Sequence, residues 1–286
     1  MMSGHPLLVF CDMDGTYLHS DKSVSQANLA IVESLDRHGC GFVPCTGRML
    51  SGIPRELSQH PKVHYVVCSM GATIVELGAT YTDGRSHRNI FEGGVEKSDV
   101  MELYRRLSPY NIQFDVFANG HSYAERRRLD QIDRFPINPG MMGFVRRQRI
   151  PIDIDIPTFI KQVDRIERLN IYYLNESDGD KIRAILDDMP MFSHTSHDGC
   201  GIEVVNTNLS KGTALLWLCE YLNIPPERSM AFGDGENDIP MLEAAGIGIA
   251  VENADNVCKQ HADFVTEHNN DNDGVARFLE EQAWQR

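Results

Sequence analysis

The seven cysteines of this 286-residue chain form no C-x-x-C pair and no regular framework, which points away from a disulfide scaffold or a cysteine zinc site. Several of Cys11, Cys40, Cys45, Cys68, Cys200, Cys219 and Cys258 sit inside apolar runs, so buried free thiols are expected. Positive charge is also scarce. Lys and Arg total 27 against 41 Asp and Glu, a formal net charge of −14, and that balance disfavours nucleic acid and anionic membrane as main partners. A phosphorylated substrate stays open, because a bound divalent cation reverses a local negative field. No apolar run approaches the roughly 18 to 20 residues of a membrane span, and the first is too short for a signal-peptide core. A cytoplasmic location is therefore expected. Repeats, coiled-coil heptads and low-complexity tracts are absent from the sequence, although Asn269–Asp273 is locally biased.

What is present begins with an apolar run, Leu7–Cys11, closed by Asp12-Met13-Asp14-Gly15-Thr16. The run is short and ended by turn formers, so it reads as a buried strand. Two carboxylates one residue apart on a nearly extended segment point roughly the same way. Like charges that close are costly unless a cation lies between them or one holds a proton. Gly15 permits a sharp turn, and its amide and that of Thr16 can face an anion. A cation and an oxyanion are thus expected to meet at the end of the first strand.

The chain then alternates. Ser25 caps a helix carrying Leu29, Ile31, Val32 and Leu35; Gly41–Cys45 is a second strand, leading to Thr46-Gly47-Arg48. Pro44 is awkward inside a strand, so that position must escape a ladder bond or the strand is short. A helix over about 50 to 58 precedes a third strand, Tyr65–Cys68, and this rhythm is that of a parallel sheet with covering helices. After Gly84 and Gly93-Gly94, which read as linkers, the pattern changes. A helix near 96 to 108 is followed by a hairpin at Asn119-Gly120, a Gly/Pro/Met-rich loop at 136 to 143, and an alternating edge strand through Ile150, Ile152, Ile154 and Ile156. Strands through 171 to 174, 191 to 195 and 202 to 205, with a helix over 180 to 189, complete an α+β segment. The parallel rhythm resumes with a helix from Ser210, a strand Ser229–Phe232, and strands at 247 to 251 and 264 to 265. The expected fold is α/β, a doubly wound Rossmann-like core of residues 1–83 and 201–286 with an α+β cap inserted over 84–200.

Three polar clusters follow expected buried strands: 12 to 16, 46 to 48 and 233 to 238. In an open parallel sheet these strand ends gather at one edge, where ligands bind. Asp12, Asp14, Asp234 and Asp238 supply more carboxylate than a dry cleft tolerates without metal, and an all-oxygen donor set suits magnesium. Thr46, the Gly47 amide and Lys211 supply donors for a phosphate. Lys211 stands in the first turn of a helix, the wrong end for the helix dipole, which argues against a purely structural lysine.

These four motifs, in order, resemble the haloacid dehalogenase superfamily, specifically the Cof-type sugar-phosphatase-like hydrolases with a large α/β cap. Asp12-Met13-Asp14-Gly15-Thr16, Thr46-Gly47-Arg48, Lys211-Gly212 and Gly233-Asp234-Gly235-Glu236-Asn237-Asp238 carry the resemblance. It implies a Mg2+-dependent phosphatase in which Asp12 takes the phosphoryl group as an aspartyl phosphate. Asp14 would protonate the leaving oxygen, then activate water, with its backbone carbonyl in the metal shell. Thr46, Gly47 and Lys211 would hold the phosphoryl oxygens, Asp234 would bind magnesium, and Asp238 would complete or orient the outer shell. Asn237 would help position metal, phosphate or Lys211. Arg48 would either brace the loops or meet substrate. The implied partner is a small phosphorylated metabolite of the sugar phosphate, pyridoxal phosphate or flavin mononucleotide class. Alternatives are a phosphomutase sharing the aspartyl phosphate, and a non-catalytic phosphometabolite-binding protein. One departure stands out: Met70-Gly71 occupies the place where such chains commonly carry Asn-Gly.

In the inserted segment the bland readings are preferred. Arg126–Arg128, Arg146, Arg147 and Arg149 are expected on a solvated face, Met141-Met142 in a packed loop, and His194 and His197 near Asp198 as ordinary loop histidines. Tyr123, Tyr172 and Tyr173 are expected to pack in or on the sheet.

Overall fold

Every residue of Leu8–Cys11 is buried, and the segment forms β1 of a parallel sheet in the computed structural model, which describes residues 7–81, 84–197 and 199–282. The chain returns through α1 (Gln26–Arg37), started by the Ser25 hydroxyl accepting from the Asn28 amide, to β2 (Gly41–Pro44). Cys45 donates its amide to the Cys11 carbonyl and Thr46 to that of Val67. By strand alternation Pro44 therefore turns its missing donor toward the Val67 side, where pairing starts only at Cys45, and the ladder loses nothing. The expected helix over 50 to 58 is broken: a 3-10 turn covers Leu50–Gly52 and one α-turn, α2, covers Arg55–Ser58. Pro54 is the cause, since it forces Ile53 into extended backbone.

β3 (Tyr65–Cys68) continues into an antiparallel ribbon of β4 (Thr73–Tyr81) and β5 (Gly84–Glu92). This ribbon replaces the expected linker at Gly84. β5 carries mostly polar side chains and offers no apolar alternation of its own; it is held by the ladder to β4, whose Ile74, Val75 and Leu77 are buried.

Gly93–Leu209 form a second compact unit, so the division falls at 92/93 and 209/210 rather than at 83/84 and 200/201. The reason lies in pairing: β5 belongs to β4 on one side of the insert, and 201–206 pairs inside the insert on the other. The unit contains α3 (Lys97–Leu107), β6 (Ile112–Ala118), β7 (His121–Glu125), α4 (Arg126–Leu129), α5 (Pro139–Gln148), β8 (Arg149–Ile152), α6 (Ile156–Gln162), β9 (Ile166–Tyr173), α7 (Glu176–Asp187), β10 (Phe192–His197) and β11 (Gly201–Asn206). Its sheet runs β10-β11-β9-β6-β7-β8. The hairpin falls at Asn119-Gly120, both with positive φ, and β8 is an edge strand. Two expectations change. Residues 139–148 are helical despite Pro139, Gly140 and Gly143, because Val145 and Met142 pack into the unit's core and override a poor propensity. Ile156 starts a helix rather than ending a strand, since the Asp155 carboxylate caps the Thr158 amide at 2.8 Å.

The first unit, Met1–Glu92 and Ser210–Arg286, resumes with α8 (Lys211–Tyr221), β12 (Ser229–Gly233), α9 (Ile239–Ala244), β13 (Ile247–Ala250), α10 (Asn256–Gln260), β14 (Phe264–Val265) and α11 (Gly274–Gln282). Its sheet is parallel throughout, in the order β14-β13-β12-β1-β2. From β1 the chain winds outward to β2 and later, on the other side, to β12. Such a reversal opens a crevice at the strand ends. All seven cysteines are buried. Among the described residues, no helix is long and apolar enough to cross a membrane.

Candidate active site

Asp12 leaves β1 at the reversal, and its amide still bonds the Phe232 carbonyl of β12 at 2.9 Å. That bond sets the loop after β1 beside the loop after β12. Gly15 has φ +86°, and a Cβ there would come within 2.4 Å of Asp234 Oδ2, so both the turn and the close approach require glycine. The Thr16 hydroxyl donates to Asp234 Oδ1 at 2.6 Å.

Lys211 enters from α8, fixed by a reciprocal capping box between Ser210 and Thr213. Its ammonium, 1% exposed, donates to Asp12 Oδ1 at 2.5 Å and to Asp238 Oδ1 at 2.6 Å. The other oxygen of Asp238 accepts the amides of Asp234 and Gly235 at 3.0 and 3.1 Å. Burial works against the Lys211 ammonium, but Asp12 and Asp238 outweigh it and hold the group well above its ordinary pKa. Burial pushes Asp12 up, against the pull of Lys211, and burial with Asp238 nearby pushes Asp234 to about 6.

Asp12, Asp234 and Asp238 each place a carboxylate oxygen within 4.8 Å of the others. Three carboxylates, two buried and one half-buried, beside one ammonium are short of positive charge, and hard oxygen donors at this spacing fit a divalent cation such as Mg2+. Both oxygens of Asp238 are already engaged, so Asp12 and Asp234 are the pair best placed to touch the ion. Asp238 holds Lys211 and the loop.

Asp14 does not join this cluster with its side chain. Arg48 grips its carboxylate with Nε and Nη2, both at 2.6 Å, and Lys22 Nζ adds a contact at 2.8 Å. Burial would raise Asp14, but Arg48 and Lys22 hold it below the usual carboxylate range. The proton expected on Asp14 is thus not favoured in this arrangement. Arg48 also donates to the Gly52 carbonyl at 2.7 Å, which makes it a brace between loops. Thr46 is buried at the end of β2, with its hydroxyl accepting the Arg48 amide at 3.1 Å; Gly47 lies between them. Asn237 points its amide not at Lys211 but at the sulfur of Met70, 3.7 Å away.

Sequence reasoning missed Lys22 and Asn253. The side-chain amide of Asn253 donates to the Gly15 carbonyl at 2.7 Å, and its oxygen accepts the Asn270 amide at 2.9 Å. Two residues on, the Asp255 amide donates to the Asp234 carbonyl at 2.8 Å. The loop after β13 therefore fixes the separation of the two acidic loops. A polar residue just beyond a fourth buried strand, on the same sheet edge, was the available signal. Asn253→Leu keeps the size and removes both bonds at an exposed site. It is expected to weaken the hold of the acidic cluster on a divalent cation, tested with Mg2+, by about tenfold with the melting temperature nearly unchanged. Calorimetric titration checks this, and an unaltered affinity would remove Asn253 from the metal site's support.

In the second unit the arginines are mostly paired at the surface: Arg126 with Asp153, Arg127 with Glu125, Arg128 with Asn111 and Arg146 with Asp133. Arg149 is buried against Asp115 at 2.6 Å, as Arg168 is against Glu203 at 2.8 Å. Met142 is partly buried in helix α5; the side chain of Met141, like Asp198 and the side chain of His197, lies outside the described part. His194 bonds Asp187 at 3.0 Å. Tyr123 packs against Phe159 with the rings tilted by 47°, and Tyr172 and Tyr173 are buried.

The chain is similar to known proteins along nearly its whole length. The family model for haloacid dehalogenase-like hydrolases matches residues 9–279. A putative phosphatase of Haemophilus influenzae is 26% identical over 284 residues, covering 96% of this chain and 97% of that protein. The 5-amino-6-(5-phospho-D-ribitylamino)uracil phosphatase YitU of Bacillus subtilis is 28% identical over 292 residues, covering 98% of each. The solved structure of a haloacid dehalogenase-like hydrolase from B. subtilis superposes with a TM-score of 0.79 at 26% identity, over 96% of this chain and 99% of that one.

Proposed function

The chain belongs to the haloacid dehalogenase-like hydrolases and is a phosphatase of that family, and we propose that it is a magnesium-dependent phosphomonoesterase working through an aspartyl phosphate on Asp12. The carrying observation is the arrangement of Asp12, Lys211, Asp238 and Asp234 at the carboxyl edge of the parallel sheet. Asp12 and Asp234 would hold the magnesium, with the Asp14 backbone carbonyl as a further donor. The bound ion would draw charge off the phosphoryl group, so that a carboxylate can attack it.

Asp12 supplies the attacking oxygen, through Oδ1 or Oδ2, and Lys211 orients that carboxylate and pulls against the upward push of burial on it. Lys211, Thr46 and the Gly47 amide supply the donors for the phosphoryl oxygens, and positioning of this kind is most of what phosphoryl transfer asks of a protein. Asp14 exchanges its Arg48 partner for the leaving oxygen, and away from the guanidinium its carboxyl can carry the proton it gives up. It then takes a proton from the water that cleaves the acyl phosphate. Arg48 is in this reading the group that parks Asp14 between turnovers.

The substrate class is a small phosphorylated metabolite: a sugar phosphate, pyridoxal phosphate or flavin mononucleotide. The test is inorganic phosphate release from a panel of these compounds, with Mg2+ and with chelator. Release that requires Mg2+ is the expected result. An isomeric phosphate formed with no inorganic phosphate would replace the reading with a phosphomutase, and binding without any turnover would replace it with a binding protein.

A further inference from the structure

Three consecutive residues, Ser69, Met70 and Gly71, have φ values of +52°, +59° and +93°. L side chains avoid this region, so two non-glycine residues in succession there are held by their surroundings, and such outliers concentrate at functional sites. The surroundings are specific. The Ser69 amide donates to the Arg48 carbonyl at 3.0 Å and the Met70 amide to the Thr46 carbonyl at 3.1 Å. A Cβ on Gly71 would come within 2.2 Å of the Ser210 carbonyl, so the turn lies against the residue that caps α8 and precedes Lys211. Met70 itself, 5% exposed, directs its sulfur at the side-chain amide of Asn237. One short turn thus touches the loops that carry Thr46, Lys211 and Asn237.

We propose that Met70 is a positioning residue that orients Asn237 toward the phosphoryl group, its thioether sulfur accepting the Asn237 amide while its backbone locks the Thr46 loop in place. The inference rests on the hydrolase reading above. Sulfur is a weak acceptor, but the carboxamide of Asn237 has two donors and one acceptor; tying one donor to Met70 fixes which face of the amide is offered to a ligand. A methionine in this place makes that choice without adding a charge or a competing carboxylate to the cluster.

Two variants test it. Met70→Leu keeps the apolar bulk and removes the sulfur; Met70→Gln restores an acceptor at similar reach. The readouts are the side-chain amide resonance of Asn237, the affinity for inorganic phosphate in Mg2+ by calorimetry, kcat and KM, and the melting temperature. For Met70→Leu the Asn237 resonance should move, phosphate affinity should fall by about tenfold and kcat by a similar factor, with melting nearly unchanged. Met70→Gln should keep phosphate affinity within about threefold of the parent. If Met70→Leu matches a hydrolytically active parent in resonance, phosphate affinity and kcat, the positioning role is overturned and the hydrolase reading stands. If the parent releases no phosphate from any substrate, the hydrolase reading falls and takes this role with it. Should Met70→Leu melt well below the parent, the Met70→Gln result decides: a folded Gln variant with tenfold weaker phosphate binding overturns the acceptor role.

Discussion

Asp12→Asn is expected to lower kcat by about ten-thousandfold or more in a protein that still folds. The substitution is isosteric, and the carboxamide oxygen can still accept from Lys211, which keeps its second partner Asp238. What disappears is the anionic nucleophile, because the oxygen of a neutral carboxamide attacks poorly and does not form an acyl phosphate. Burial already opposes the Asp12 charge, so neutralising it relieves a cost as well as removing an attraction, and the melting temperature should move by only a few degrees. The measurement is phosphate release at saturating substrate, with the phosphoenzyme sought by mass spectrometry in the parent and the variant. A residual rate close to that of the parent would sink the covalent mechanism, whatever the fold.

The pentapeptide after β1, the threonine after β2 and the 233–238 loop were all legible in the sequence, for one physical reason. Each follows a short apolar run, and apolar runs ended by polar turns fix both the strand and the place where its carboxyl end meets solvent. The resemblance then joined motifs that lie far apart in the chain. Illegible features were those decided by partners rather than by local pattern. β5 is a strand because β4 is beside it. Helix 139–148 exists because its apolar residues find a core. The turn at 69–71 has no sequence signature at Ser69 or Met70, neither of which favours positive φ. Asp14 is the instructive case: its identity was readable, but its electrostatic state was not, since that depends on Arg48 folding back across 34 residues and on Lys22. Asn253 was hidden for the same reason, as its importance lies in a carbonyl 238 residues away.

Lys211→Met tests the other half of the electrostatic argument. The side chain keeps much of the length and apolar bulk of lysine, and removes the ammonium that contacts both Asp12 and Asp238. Breaking one partner out of a buried ion network leaves charge without compensation and costs about 3 to 5 kcal/mol, which for a unit of this size lowers the melting temperature by about 10 °C. The loss should depend on pH, and the sign follows from linkage. Burial already raises the carboxyl of Asp12 against the pull of Lys211, and in the variant that pull is gone; in the parent, burial and Asp238 raise Asp234 to about 6. A carboxyl with a raised folded-state pKa takes up a proton in the native protein that the unfolded chain does not hold. Its contribution to stability is fully present below the unfolded value and is lost as pH rises through the folded one. The gap between variant and parent should therefore be small near pH 5 and widest above about pH 7. Saturating Mg2+ should narrow it at neutral pH by binding the native state alone, whereas activity should not return, since the ion cannot replace the donor on the phosphoryl oxygens. Melting curves across this pH range, with and without Mg2+, separate the two effects. A deficit that ignores both pH and Mg2+ would mean that Lys211 acts by packing, and that the three carboxylates do not share a field.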